Sequence, residues 1–95
     1  MPAFVIAMVD VKDPARYEGY RQMVLPTIEA YGGRFIARGG RTEVLEGAWA
    51  PRRVVIVEFP SFERAQAWWA SPEYAGAKAL RQATSEGTLI VIEGI

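Results

Sequence analysis

Three segments of this chain alternate like β-strands yet are apolar on both faces, which limits the chain to folds whose sheet is covered twice. In residues 3–10, Phe4, Ile6 and Met8 fall on one face and Ala3, Val5, Ala7 and Val9 on the other. In Arg52 to Phe59, Val54, Ile56 and Glu58 oppose Val55, Val57 and Phe59. In Thr88 to Glu93, Thr88, Ile90 and Ile92 oppose Leu89 and Val91. A strand that meets water on one side reads apolar–polar; these read as strands buried on two sides.

Between the strands lie helix signals with a stated chemistry. Asp13 followed by Pro14 pairs a side-chain acceptor for the orphan amides with a residue whose backbone is already set for the first turn. Tyr17, Tyr20, Val24, Ile28 and Tyr31 then recur at spacings of three and four, one stripe turned to the sheet. Pro26 falls inside that stripe and is predicted to kink or restart the helix. Gly32-Gly33 ends it. Arg34 to Arg38 reads as a short strand, broken at Gly39-Gly40 and then continued or bulged through Thr42 to Glu46. Gly47 to Pro51 is a turn carrying Trp49. Ser61 opens a helix through Phe62, Ala65, Trp68 and Trp69. Ser71-Pro72 repeats the cap signal for another helix through Tyr74, Ala77 and Leu80, and Gly87 is predicted to stop it.

The order is β-α-β-β-α-β, the ferredoxin-like α+β arrangement: a four-stranded antiparallel sheet with its helices on one face. Helices on one face leave the other bare. A bare face of Phe4, Ile6, Val54 and Ile56 amounts to an apolar patch on the order of several hundred Å², the size that marks an interface. At about 25 cal/mol per Å², covering it stabilises the chain by several kcal/mol. The sequence therefore predicts a homodimer joined sheet to sheet.

Composition removes most chemistries. The 95 residues suit one domain. Cysteine, histidine and asparagine are all absent. That excludes disulfides, thiolate nucleophiles, imidazole bases, histidine-ligated haem and the ordinary zinc or non-haem iron sites. No acidic cluster has calcium-loop spacing, so neither metal nor cofactor is expected. Net charge is zero, which argues against nucleic acid as a partner. No apolar run approaches about 18 residues, so no membrane span is expected. The first residues, MPAFVIAMVDV, lack the charged start and cleavage site of a signal peptide, and the expected location is cytoplasmic.

YGGRFIARGG, EVLEGAWAPRRVVIVEFPS and SPEYAGAKALR closely resemble the bacterial domain-of-unknown-function family 1330, over a stretch from about Phe4 to Gly94. The resemblance implies the dimeric α+β-barrel superfamily, in which two ferredoxin-like sheets close face to face. It implies no reaction. Relatives elsewhere in that superfamily include cofactor-free monooxygenases, lactone isomerases, haem-dependent enzymes and ligand-sensing domains. The haem branch is set apart from this chain by the missing histidine.

Five arginines (Arg34, Arg38, Arg41, Arg52 and Arg53) fall within twenty residues, and guanidinium forks suit carboxylates and phosphates. Arg34, Ile36 and Arg38 share one strand face, and Glu58 shares a face with Val54 and Ile56; if those are the same side of the sheet, Arg38 meets Glu58 at the rim of the inter-sheet cavity. Arg38 then orients an anion while Glu58, a carboxylate on an apolar face, accepts a proton; the competing reading is a structural ion pair. These two are the candidate catalytic residues. Trp49, Trp69, Tyr74 and Arg81 are the candidate ligand-binding residues. Trp49 sits at a loop tip, where it lids a pocket or packs on the partner subunit. Of the adjacent Trp68 and Trp69, one faces the core and the other a pocket or solvent. Tyr74 and Arg81 lie seven apart on one helix face. Tyr17 and Tyr20 read as core, the alternative being a phenol at a cavity edge that donates to a bound oxygen; Ser71 reads as a cap and Gly39-Gly40 as a bulge, since no phosphate-loop pattern follows it.

Three functions remain open, the last two as alternatives to the first. One is a cofactor-free enzyme, isomerase or monooxygenase-like, acting on a small aromatic or carboxylate metabolite. The others are a module that binds such a molecule without turnover and a structural dimer.

Overall fold

A computed structural model describes residues 1–95. The chain forms β1 (Ala3–Val11), α1 (Pro14–Ala30), β2 (Arg34–Arg38), β3 (Arg53–Phe59), α2 (Phe62–Trp69), α3 (Pro72–Thr84) and β4 (Ser85–Glu93). The strands make one antiparallel sheet in the order β2-β3-β1-β4. This is the βαββαβ order read from the sequence, with the second helical segment divided into α2 and α3.

The caps follow the expected chemistry. Asp13 accepts the amide of Arg16 at 3.2 Å, Ser61 that of Arg64 at 3.1 Å and Ser71 that of Tyr74 at 3.1 Å. Helix α1 runs unbroken through Pro26. Nearby, the Thr27 hydroxyl donates to the Val24 carbonyl at 2.7 Å.

The core lies between the sheet and the helices. Val5, Val57 and Phe59 of the sheet are buried under Val24 and Ile28 of α1, Ala65 and Trp68 of α2, and Tyr74 and Ala77 of α3. Trp68 stands at its centre. Its ring stacks on Tyr74 at 4.1 Å between centroids and tilts against Phe59 at 5.4 Å. Its indole N–H donates to Thr27 Oγ1 at 3.1 Å, so the one polar atom of the largest core side chain is satisfied. Trp69, on the next position round the helix, is partly exposed.

The opposite sheet face carries Phe4, Ile6, Met8, Val54, Ile56, Ile90 and Ile92, and no helix covers it. Ile90 and Ile92 are 47% and 52% exposed. The bare apolar face read from the strand pattern is present.

Three local expectations change. Residues 39–52 form no strand. The bulge lies earlier, between Phe35 and Ala37: Phe35 opposes Val57, but Ala37 opposes Ile56 and Arg38 opposes Val55. One extra residue turns every later side chain to the other face. Gly87 does not end α3; the helix stops at Thr84 and Gly87 lies inside β4 opposite Val9. A Cβ at Gly87 would run into the Met8 carbonyl and Val9, so the glycine permits the close approach of β4 to β1.

Candidate functional site

The bulge in β2 redraws the expected site. Arg38 falls in register with Val55 and turns toward α1, where its Nη2 donates to the Arg21 carbonyl at 3.0 Å and its guanidinium lies 4.2 Å from the centre of the Phe35 ring. Glu58 stays on the bare face opposite Phe4. Arg38 and Glu58 are therefore on opposite sides of the sheet and do not meet. The partner of Glu58 is Arg34, which precedes the bulge: Nε and Nη2 of Arg34 both donate to Glu58 Oε1, at 3.1 and 2.8 Å. Arg34 is an exposed side chain on the sheet's edge strand, so this pair closes the rim of the bare face.

The helix-covered side holds the richer arrangement. A small chamber of about 30 Å³ lies between the sheet and the helices. That is room for one or two waters or for the head of a small ligand. Its walls are apolar side chains plus Tyr17, Tyr20, Arg21, Arg38, Arg53 and Arg81, and no Asp or Glu is among them. Arg81, in the last turn of α3, is only 6% exposed. Its Nε donates to the Tyr74 hydroxyl at 3.2 Å, and the Tyr74 and Tyr20 hydroxyls are 3.2 Å apart. The guanidinium also lies 5.7 Å from the centre of the Trp69 ring.

No carboxylate reaches ion-pair distance of Arg81. The helix C-terminus and the Trp69 face offset part of the burial, each by about 0.5–1 kcal/mol. The Nη nitrogens of Arg81 make no protein hydrogen bond and are not fully enclosed, so water contact relieves part of the cost of burying a cation with no anion beside it. Burial, reinforced by the neighbouring Tyr74 phenol, pushes the Tyr20 hydroxyl well above the ordinary tyrosine range. Tyr20 is thus held as a proton donor.

Arg53 adds to the same wall. Its Nε is buried without a hydrogen-bond partner, and its guanidinium occupies the space where Gly39 would carry a Cβ. Gly39 has φ of 67°, so a side chain there would be both strained and obstructed.

Beside the chamber a larger groove of about 320 Å³ opens between α2 and the edge strand β4. Seven of its eight lining residues are hydrophobic, Gln66 being the exception. Val5, Trp68 and Leu89 line both groove and chamber, so the two adjoin across those side chains. Trp69 forms part of the groove wall. Lys78 holds it from outside, with its Nζ 4.6 Å from the ring centre and donating to the Trp69 carbonyl at 2.9 Å.

Of the residues singled out in the sequence, Trp69, Tyr74 and Arg81 come together, and Arg38 lines the chamber that Arg81 lines, from the β2 side. Glu58 and Trp49 lie elsewhere. Trp49 is 64% exposed in the 39–52 loop, on a separate depression with Met8, Asp10, Arg52, Glu86 and Thr88. Arg53 and Tyr20, which are not among the catalytic and ligand-binding candidates of the sequence, join the site. Arg53 was visible in principle, being in phase with Val55 and Val57; Tyr20 meets Tyr74 only through the packing of α1 on α3.

The fold, the donor-lined chamber and the adjoining apolar groove define a ferredoxin-like α+β protein with a small-molecule-sized cleft between α2 and β4. The chain belongs to the family described as domain of unknown function (DUF1330), whose model matches residues 2–95. A protein of unknown function from Rhodopseudomonas palustris is similar in structure, with a TM-score of 0.81 at 22% identity over 99% of this chain and 82% of that one. A dimeric ferredoxin-like protein of unknown function from Jannaschia sp. gives 0.69 at 11% identity, over 100% and 99%. SnoaB, a cofactor-independent oxygenase from Streptomyces nogalater, gives 0.68 at 11% identity, over 99% and 93%. At these identities the likeness concerns the fold. No curated protein matches the chain.

Proposed function

We propose that this chain works as a homodimer joined through its bare sheet faces, each subunit binding one small aromatic molecule in the groove between α2 and β4. The groove carries the reading. Its volume of about 320 Å³ and almost wholly apolar wall fall within the range of small-ligand sites, about 300–1,000 Å³. Trp69 supplies an aromatic wall for the ligand's ring. Association is supported by the bare face of Phe4, Ile6, Ile56, Ile90 and Ile92, and by the dimeric character of the Jannaschia protein. In the dimer, Trp49 reaches the partner subunit while Arg34 and Glu58 close the rim.

A second reading makes the same cleft the site of a cofactor-free isomerase or monooxygenase-like enzyme. The hydroxyls of Tyr20 and Tyr74 beside Arg81 favour it, since such donors stabilise a substrate oxyanion. The chamber has no carboxylate or imidazole base, so a substrate would have to arrive ionised. Binding requires no such condition and is the stronger conclusion.

Calorimetric titration with phenol, indole and phenylacetamide tests it, using the wild type and Gln66→Trp. Gln66 is exposed on α2, so the indole plugs the groove without entering the core. One site per subunit is expected in the wild type, with affinity lowered about tenfold or more in Gln66→Trp. Equal heats in the two proteins, or none with any aromatic, would overturn the groove as a binding site.

A further inference from the structure

The geometry points to a ligand with a single anionic head: we infer that the groove's occupant is an arylalkanoate, its ring against Trp69 and its carboxylate passed beyond Trp68 to Arg81 in the inner chamber. The inference rests on the groove reading and adds the ligand's chemical class.

Four observations converge. Arg81 is 6% exposed and has no acidic partner. Its Nε is engaged by Tyr74, leaving the two Nη nitrogens without a protein acceptor, and a guanidinium presents such donors as a fork that fits a carboxylate. The Tyr74 hydroxyl accepts from Arg81 and can donate its O–H to the Tyr20 oxygen, which leaves the Tyr20 O–H to donate to a ligand oxygen. Finally, Arg53 brings a buried Nε without a partner to the same chamber, and no carboxylate lines it.

A chamber with donors to spare and no anionic acceptor selects by charge. An anion gains where water was poorly replaced; an amide brings an N–H₂ group that meets more donors; an ammonium meets cations. The sizes agree as well. A chamber of about 30 Å³ takes a carboxylate head but not a ring, whereas the adjoining groove of about 320 Å³ takes a ring and a short alkyl link. The head and body of one molecule therefore divide between the two spaces, which share Val5, Trp68 and Leu89 as walls.

Matched pairs decide the matter: phenylacetate against phenylacetamide and 3-phenylpropanoate against its amide, titrated into the wild type and Arg81→Met. In the wild type at least one acid is expected to bind about tenfold or more tightly than its amide. In Arg81→Met that preference for the acid disappears. Because the cation is buried, the preference is also expected to persist in about 0.5 M salt, where attraction to surface arginines is screened. Acids and amides binding alike in the wild type would overturn the anionic head and leave the groove reading standing. A preference abolished by salt would place the anion on the surface and overturn the chamber. If neither class binds, both readings fall. Should Arg81→Met not fold, the wild-type pairs and their salt dependence still decide.

Discussion

The two faces of the sheet are built from similar strands but solve opposite problems. On the bare face Phe4, Ile6, Ile56, Ile90 and Ile92 present apolar surface that no helix covers, and the ion pairs stand at its margins, Arg34–Glu58 at the edge strand and Asp10 with Lys12 and Arg52 at the end of β1. On the covered face the apolar surface is satisfied by three helices, and there the chain buries Arg81, Tyr20 and Tyr74. Apolar surface left outside calls for a partner of the same kind. Polar groups placed inside, where leucine would pack at lower desolvation cost, call for a ligand. On the proposed reading, the difference separates association from recognition within a single small sheet.

The largest expected effect comes from damaging each face in turn. Trp68→Ala removes the centre of the covered core and its bond to Thr27. A loss of about 3–5 kcal/mol in denaturant melts is expected, as for other large aromatic deletions, with the folded fraction still dimeric. Ile56→Glu acts on the other side: it is expected to weaken association by several kcal/mol, a magnitude typical of an unpaired buried charge, on the order of 2–5 kcal/mol, and to leave groove binding intact in whatever chain remains folded. If Trp68→Ala dissociated the subunits while Ile56→Glu did not, the division between the faces would be lost.

Alkaline titration of the wild type against Tyr20→Phe probes the covered face. Burial keeps Tyr20 protonated in the folded chain, whereas an unfolded tyrosine ionises near pH 10. Above about pH 10 the unfolded chain thus binds fewer protons than the native one, and stability falls as pH rises, by about 1.4 kcal/mol per pH unit for one such group. Tyr20→Phe is expected to flatten that part of the pH profile in thermal melts. An unchanged profile would mean that Tyr20 is not held protonated by its surroundings.

The smallest effect belongs to the rim. Arg34 and Glu58 form an exposed pair at an edge strand, so Arg34→Met and Glu58→Gln are each expected to cost under about 1 kcal/mol and less in high salt. A loss of about 3 kcal/mol or more would show that the pair is sealed inside the interface.

Much of this molecule could be read from its residues because local chemistry dictated it. Asp13-Pro14, Ser61 and Ser71-Pro72 place helix starts by supplying acceptors for orphan amides, and the structure has those hydrogen bonds. The two-sided alternation of β1, β3 and β4 required a bare apolar face, and it is there. The site was less legible. Period-two alternation from Arg34 assigned Arg38 to the Glu58 face, and nothing in RFIAR signals the extra residue between Phe35 and Ala37 that reverses it. Gly39-Gly40 drew attention to a later position, while Gly39 in fact makes room for Arg53. The spacing of Tyr74 and Arg81 showed a common helix face but could not show that the face turns inward onto Tyr20, a contact between residues 54 apart in the chain. Short-range acceptors and strand parity are written locally; a bulge and a long-range hydroxyl pair are set by packing.

Sedimentation equilibrium of the wild-type chain, over a dilution series through micromolar concentration, tests the division of labour between the faces most directly. The bare face is expected to give twice the subunit mass, with dissociation only on strong dilution. A single-subunit mass at every concentration, from protein whose helices and cooperative melt are intact, would contradict it: the apolar face would then be stable in water with no partner.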